Sequence, residues 1–552
     1  MPCSKCGFEN PDGMKFCNEC GSALGALCPK CNFENPSGSK FCGECGTPLS
    51  KQVPEARHRL EQDAERRQMT VMFCDLVGST RLSEQLDPED LREVMRAYQE
   101  VCANVIKRFE GYIAKYLGDG ILVYFGYPKA HEDDARRAVH AGLEVVESVR
   151  DLPLQKKQLQ EPLQVRIGIH TGLVVVGEMG AGEVREQMAI VGDTPNIAAR
   201  IQGLAETDTV VISRATYRLI EGYFDCESIG QHTLKGISRP MEAYKVVGQS
   251  GLKSHLEVAA TKGLTSLVGR EKEIELMLDL WEEAKEGRGQ FVLLSGEAGI
   301  GKSRLVEVLK GRLVDEPHHI IGARCLPYFQ NSFLYPVIDY LERFLDISKA
   351  DSPEEKLEKL KIGQTKMGFS TNESLQLFAS LLTIPVNNDI RPLNLSPEIQ
   401  KQKTQEALLK WLKNAMENSP VLLILEDMHW VDPSTLEFLS LIFDDIPRSR
   451  ILTLLTFRPD FTHPWDGSGS ITEINLSRLS AKDIELMAKS VAGGKSLPQE
   501  VLQQLVAKTD GVPLFVEELT KMVLESDFLK VHDETYEVTG SIPSLAIPSS
   551  IQ

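Results

Sequence analysis

No stretch of the 552 residues is apolar for long enough to span a bilayer, and the N-terminus lacks the charged-then-apolar pattern of a secretory signal. The expectation is a soluble, cytoplasmic protein with no membrane partner. Basic charge is also scarce: 61 Lys and Arg stand against 79 Asp and Glu, a net of −18. Phosphate backbones are held by clustered Lys and Arg, so a general nucleic-acid binder is not expected. Cysteine is nearly missing after residue 45. Only Cys74, Cys102, Cys226 and Cys325 remain, each alone in an apolar segment, which suits core packing. The length exceeds what one core supports and suggests three or four domains.

Eight of the twelve cysteines are packed into the first 45 residues, in an internal repeat, CSKCGFENPDGMKFCNECG and then CPKCNFENPSGSKFCGECG. Each copy is C-x2-C, ten residues, C-x2-C, a spacing that in a reducing compartment reads as metal ligation. Cys3, Cys6, Cys17 and Cys20 would close one tetrahedral Zn²⁺ site, and Cys28, Cys31, Cys42 and Cys45 a second. Four thiolates leave no position for water, so both zincs are expected to be structural. Such knuckles bury little, and zinc binding worth about 10–16 kcal/mol supplies their folding energy. The pattern resembles a double zinc ribbon. Residues 1–49 hold four lysines against five acids and no arginine, which favours a protein-interaction or regulatory module over a nucleic-acid reader. From Lys51 to Gln68 the chain is highly charged, with Val53, Ala56, Leu60 and Ala64 as an approximate apolar stripe. A charged linker helix is expected there, either solvated or paired across a dimer.

The stretch YIAKYLGDGILVYFG, Tyr112 to Gly126, sets two strand-like runs around a Gly118-Asp119-Gly120 turn that exposes a carboxylate. Upstream, TVMFCDLVGST, Thr70 to Thr80, is a buried-strand run that ends on Asp75 and continues into a Gly-Ser-Thr loop opening a helix. Taken singly, an Asp in a turn or at a strand end serves structure equally well. Two carboxylates on adjacent strand ends can share a hard cation, and Mg²⁺ completes its octahedron with substrate phosphates and water. A third stretch, VGDTPNIAARIQGLA, Val191 to Ala205, starts a helix and places Asn196 and Arg200 on one face. Together the three resemble the signatures of the class III nucleotidyl cyclase catalytic domain, over about Arg67 to Val247.

The alternation of strand, helix and hairpin in this stretch suggests an α+β, ferredoxin-like sandwich, with helices over Pro88–Phe109 and Glu132–Val149 and a strand region over Leu163–Gly177. The resemblance implies that Asp75 and Asp119 hold two divalent cations, Mg²⁺ or Mn²⁺, against the nucleotide phosphates. Asn196 would orient the ribose, and Arg200 would meet charge developing on the α-phosphate. Lys235, in HTLKGISRP, would contact the polyphosphate, as would backbone N–H groups of Val77, Gly78, Ser79 and Thr80. Lys115 matches the position where adenylyl cyclases carry a purine-reading Lys. Its partner position, usually Asp or Thr in them, is Ala189, which has no side-chain acceptor for the adenine amino group. ATP is placed ahead of GTP on Lys115 and backbone groups. In this family the site lies between two cyclase domains, so one copy per chain implies a homodimer with two sites.

After a polar linker, GQFVLLSGEAGIGKSRLVEVL sets a G-x4-G-K-S loop, Gly296 to Ser303 with Gly299 and Gly301 inside it, between an apolar strand and an amphipathic helix. Lys302 would reach the β- and γ-phosphates and Ser303 one Mg²⁺. PVLLILEDMHWVD is an apolar strand ending on Glu426 and Asp427, acids able to hold Mg²⁺ and polarise water, in an order that leaves their roles open. His429 and Trp430 beside them suit packing or positioning of the acids. With LVGREKEI, TLLTFRPDF around Arg458, NLSRLSAKDI and DGVPLFVEEL, this half resembles the STAND branch of AAA-type NTPases, which act as ATP-dependent switches. The chain stops at IPSSIQ, where a winged helix would begin, so it is expected to be a fragment or a naturally short member.

The expected fold is thus multidomain: small zinc ribbons at 1–49, a charged linker helix at 50–68, an α+β ferredoxin-like cyclase domain at 69–248, a linker at 249–265, and an α/β P-loop NTPase domain at 266–552. The leading functional expectation is an adenylate cyclase regulated by the NTPase half, with a protein partner for the ribbons or the NTPase. The alternatives are a weakly catalytic, dimerising nucleotide sensor attached to a STAND switch, kept open by Ala189, and a zinc-ribbon transcription regulator, which the acidic balance opposes.

Overall fold

The computed structural model describes residues 65–152, 162–181, 184–237, 240–250, 265–348, 351–366, 371–386, 395–465, 471–526, 529–532 and 535–538, residue 368, and short stretches of the first 46. Cys3, Cys17 and Cys28, both linkers over 51–64 and 251–264, and the C-terminal 539–552 lie outside the described residues. The chain divides into two compact units, Met1–Arg67 with Leu173–Gly192, and Gln68–Gly172 with Asp193–Gln552. In the smaller unit β1 (Ala26–Leu27) pairs antiparallel with β2 (Glu34–Asn35).

The first lobe of the larger unit is built on a mixed sheet. Its strands are β3 (Glu65–Leu76), β4 (Tyr112–Leu117), β5 (Gly120–Phe125), β6 (Val165–Ala181), β8 (Thr209–Ser213), β9 (Phe224–His232) and β10 (Met241–Gln249). They run in the order β4-β5-β3-β6-β8-β10-β9, while β7 (Val184–Val191) pairs with the distal part of β6. Expectation and structure part at Glu65–Gln68, which is strand rather than the end of a linker helix. A ladder begun on the apolar run from Met69 carries back over polar residues whose helical stripe is too thin to compete.

Between β3 and β4 come α1 (Ser79–Gln85) and α2 (Pro88–Arg108). Pro88 at the first helical position, Glu89 and Asp90 in the first turn and Lys107 and Arg108 in the last suit the helix dipole of α2. Its buried stripe, Val94, Tyr98, Cys102 and Val105, faces α3 (Asp134–Arg150) over one side of the sheet. The opposite side is covered by α4 (Thr194–Gln202), so along β8 Val210 and Ile212 enter one core and Val211 the other. The helix comes very close to β6. A Cβ on Gly168 would lie 2.1 Å from Gln202 N and 2.6 Å from Ala198 O, so even alanine there would push α4 off the sheet.

Within this lobe His170 is only 6% exposed, and its Nδ1 lies 2.8 Å from the Oγ of Ser213, which caps α5 (Arg214–Ile220). Burial pushes its imidazole down to about 4. A folded value below the unfolded one favours the neutral ring, so this contribution is complete above about pH 6.5 and is lost as pH falls toward 4. Denaturant unfolding at pH 7.5 and 4.5 is expected to differ by on the order of 2–3 kcal/mol more in the native chain than in His170→Asn.

The second lobe begins with α6 (Glu271–Lys285) and carries a parallel sheet of β12 (His319–Arg324), β13 (Val421–Glu426), β14 (Ile451–Phe457), β11 (Gln290–Ser295) and β15 (Ile471–Asn475), in that order. The three central strands are buried at every residue, as a sheet covered on both faces requires. One face packs on α6 and α7 (Lys302–Arg312). The other packs on α8 (Tyr335–Phe344), α9 (Pro353–Lys366), α10 (Asn372–Leu381), α11 (Pro397–Asn418) and α12 (Pro433–Asp445). A helical layer of α13 (Ala481–Val491), α14 (Gln499–Thr509) and α15 (Pro513–Leu524) follows, with its own core. Among the described residues no helix is long and apolar enough to cross a membrane.

Candidate functional site

In the smaller unit the Sγ atoms of Cys31, Cys42 and Cys45 all lie within 4.8 Å of one another, with Cys31 and Cys42 at 3.5 Å. Three converging thiols fit a tetrahedral zinc site, and Cys28, the expected fourth ligand, lies outside the described residues. Of the first set, Cys6 and Cys20 are described and Cys3 and Cys17 are not.

In the first lobe, antiparallel register puts Asp75 opposite Gly120, so Asp75 and Asp119 meet at one end of the β3–β5 pair. Gly118, at φ +70°, lets the two-residue turn close. The Ser79 hydroxyl donates to Asp119 Oδ2 at 2.5 Å and orients it. Partial burial and then the neighbouring Asp119 charge raise the Asp75 carboxyl above its ordinary value, against the pull of Arg166 and a hydrogen bond from Gln202. Two carboxylates that repel each other in a half-buried corner fit a divalent cation.

The helix face expected to carry the rest of the chemistry points elsewhere. Gln202 reaches Asp75, and residue 200 lies about 200° around the same helix from it. Arg200 packs instead over Gly236, with Nη2 3.3 Å from where a Cβ would sit, next to Lys235 in the same turn. Asn196 is exposed one turn earlier, and Lys115 is exposed on β4. Among the described residues no hydrogen bond or ion pair joins either carboxylate to Asn196 or Arg200. Ala189 lies on β7 opposite Gly177, with its side chain outside the description. One expectation fails: the Val77 N–H donates to Gln164 O at 2.8 Å, so it is not available to an anion. Strand pairing claims that amide before the helix begins. Gln202 and Arg166 were not foreseen, because nothing local ties them to Asp75.

In the second lobe the P-loop follows β11, whose neighbours β14 and β15 both lie later in the chain, the position where α/β sheets open a crevice. Gly299 (φ +72°) and Gly301 (φ +103°) take backbone angles that L side chains resist. Lys302 Nζ donates to Gly296 O at 2.6 Å and to Glu297 O at 2.9 Å. Burial first, and Arg458 with it, bring its ammonium down to about 8, although Asp427, Glu132 and Glu426 oppose the shift. Glu426 and Asp427 close β13 beside Ser303, a donor set that fits a hard cation. Both are paired with Arg324 at 2.9 Å, and the same guanidinium donates to Ser303 Oγ at 3.3 Å. Arg458 stands over the Trp430 ring at 5.4 Å and faces Glu132, from the first lobe, at 3.8 Å. Beside them His429 is held neutral, its imidazole brought down to about 4 by burial and by Arg458 and Lys302. A cleft of about 700 Å³ runs between these groups, floored by the P-loop and walled by Lys129, Glu132 and Arg136 of the first lobe. Arg324 and Glu132 carried no motif and were legible only in three dimensions.

Residues 61–248 match the family model described as Adenylate and Guanylate cyclase catalytic domain. The chain carries an adenylate and guanylate cyclase catalytic domain. Residues 266–455 match the AAA ATPase domain and residues 3–46 the Double zinc ribbon, in the order expected from the motifs. An uncharacterized protein of Rhizobium meliloti (strain 1021) is 28% identical over 467 residues, 84% of this chain and 44% of its own length. Adenylate cyclase type 10 of Oryctolagus cuniculus is 23% identical over 485 residues, 83% of this chain and 28% of its own length. Guanylate cyclase 32E of Drosophila melanogaster is 29% identical over 171 residues, 30% of this chain and 14% of its own length. The chain spans less than half the length of these relatives. The cyclase domain therefore sits in one chain with an AAA-type domain and a zinc ribbon.

Proposed function

We propose that this chain converts ATP to 3′,5′-cyclic AMP and pyrophosphate at a site shared by two copies of the cyclase domain, under the control of its AAA-type module. The observation that carries this reading is the geometry of α4, where Gln202 is turned to the chain's own Asp75 while Arg200 lies against Gly236, away from that corner, which supports a site completed by a second copy. Divalent cations held by Asp75 and Asp119 would activate the ribose 3′-oxygen and neutralise the leaving pyrophosphate. Ser79 keeps the Asp119 carboxylate turned into the corner. Arg200, steadied against Gly236, would offer its planar fork to the charge that grows on the α-phosphate, with Lys235 beside it for the polyphosphate. Asn196 would fix the ribose and Lys115 would read the purine.

Purified protein supplied with Mn²⁺ or Mg²⁺ and either ATP or GTP is expected to form cyclic AMP faster than cyclic GMP. Faster cyclic GMP would reverse the base assignment, and neither product would remove the catalytic reading. Ala189 favours a second reading, a nucleotide-sensing dimer, which predicts nucleotide binding without pyrophosphate release. For the ribbons, native mass spectrometry is expected to find two zinc ions per chain. Strong chelation should strip them and unfold only the N-terminal residues, leaving the α-helical circular dichroism of the rest in place.

A further inference from the structure

One short segment ties the P-loop acids to the cyclase core. At its start Arg324 ends β12, with Nη1 2.9 Å from Asp427 Oδ2 and Nη2 2.9 Å from Glu426 Oε1 and 3.3 Å from Ser303 Oγ. The next residue, Cys325, is buried and donates its N–H to Glu426 O at 2.9 Å, so the backbone is fixed to the same strand. Four residues after Arg324, Tyr328 is only 7% exposed inside the cyclase domain's own core. Its ring lies 5.1 Å from Phe109 and 5.4 Å from His140, and its hydroxyl donates to Asp133 Oδ2 at 3.0 Å.

We propose that Arg324 is the counter-ion exchanged against the divalent cation of a nucleotide bound at the P-loop, and that the segment from Arg324 to Phe329 carries this exchange into the cyclase domain. The inference rests on the reading of the AAA-type module as the regulator and names how it acts. Two adjacent carboxylates, Glu426 buried and Asp427 partly so, need a positive partner, and Arg324 supplies it. A hard cation held by Ser303, Glu426 and Asp427 would compete with the guanidinium for the oxygens that now hold it. On loading, Arg324 loses three acceptors and meets a like charge. Its backbone has little slack, because five residues span at most about 18 Å and both ends are anchored. A second contact works in the same direction: a terminal phosphate would compete with Glu132 for Arg458, and Glu132 precedes Asp133, the partner of Tyr328. Both contacts bear on the loop that enters α3, so one loaded site biases one element from two sides.

The test uses the full chain with ADP, which cannot be cyclised, and reads Mg²⁺-dependent ADP binding together with amide hydrogen exchange. Adding Mg²⁺ and ADP to the native chain is expected to change exchange over residues 126–140 and 325–330, and Lys302→Ala should abolish the change. Arg324→Gln should lower the Mg²⁺ needed for half-maximal ADP binding roughly tenfold or more, the scale of removing charge-assisted bonds that compete with the cation. It should also leave residues 126–140 unresponsive to loading. Arg324→Lys keeps a charge without the fork, is expected to fall between the two, and decides the matter if the Gln variant does not fold. An unchanged Mg²⁺ requirement, or loss of Mg²⁺-dependent binding, in the variants overturns the exchange. A full response of residues 126–140 in Arg324→Gln, or none in the native chain, overturns the transmission. None of these readouts needs cyclic nucleotide, so failure of the cyclase reading is seen separately in the product assay.

Discussion

A one-to-one mixture of Arg200→Ala and Asp119→Ala proteins is expected to recover roughly a quarter of native turnover, although each variant alone should fall by about 10²–10³-fold or more. Arg200 and Gln202 lie on opposite sides of α4, and Gln202 is committed to Asp75 of its own chain. If the site uses Arg200, as proposed, its carboxylates would come from another copy. In a symmetric dimer each site takes Asp75 and Asp119 from one chain and Asn196 and Arg200 from the other. Random pairing makes half the dimers mixed, and each mixed dimer has one intact site and one doubly defective site. Activity that stays at the level of the single variants after the mixture has exchanged subunits would place all the residues of one site in a single chain. Loss of Arg200 should act on kcat with little change in the melting temperature, because its guanidinium lies against the Gly236 turn and makes no ion pair among the described residues. A large drop in melting temperature would instead make it a structural arginine.

The sequence carried the parts of these sites that depend on local geometry. A strand end, a Gly-Asp-Gly turn and a helix start each have their own signal, and Asp75, Asp119, Asn196 and Arg200 fell on them. The P-loop was legible for the same reason, since Gly299 and Gly301 are needed wherever the backbone must turn through positive φ. Arg324 was not, because an arginine at the end of a strand has no pattern of its own. Only the parallel register, which sets Arg324 opposite Glu426, makes it a partner of the acids. Glu132 was read as the start of a helix, and its place across from Arg458 depends on how two domains pack. Glu65–Gln68, misread as the end of a helix, is a case in which a sheet overrode a weak helical stripe. Val77 failed as an anion donor because a neighbouring strand reaches its amide first.

Tyr328→Ala is expected to destabilise the union of the cyclase and AAA-type domains by about 3–5 kcal/mol, the range for deleting a large buried aromatic. The ring fills space between Phe109 and His140, and the Arg137 guanidinium lies 5.3 Å from its centre. The hydroxyl adds a second term. Asp133 is partly buried, which alone would raise its carboxyl, yet Arg137, Arg136 and the Tyr328 hydrogen bond hold it below its ordinary value. Losing the tyrosine removes one of the donors that keep this carboxylate ionised. Tyr328→Phe keeps the packing and loses only that bond, so it should cost about 1–3 kcal/mol. With two domains that share a core contact, a single unfolding free energy is a poor description, and the informative observable is the number of transitions. Scanning calorimetry is expected to show the two domains of the native chain melting together and to resolve two separate transitions in Tyr328→Ala, the earlier one from the domain left without its partner. An unchanged single transition in Tyr328→Ala would mean that Tyr328 only fills a pocket and that the domains are joined elsewhere.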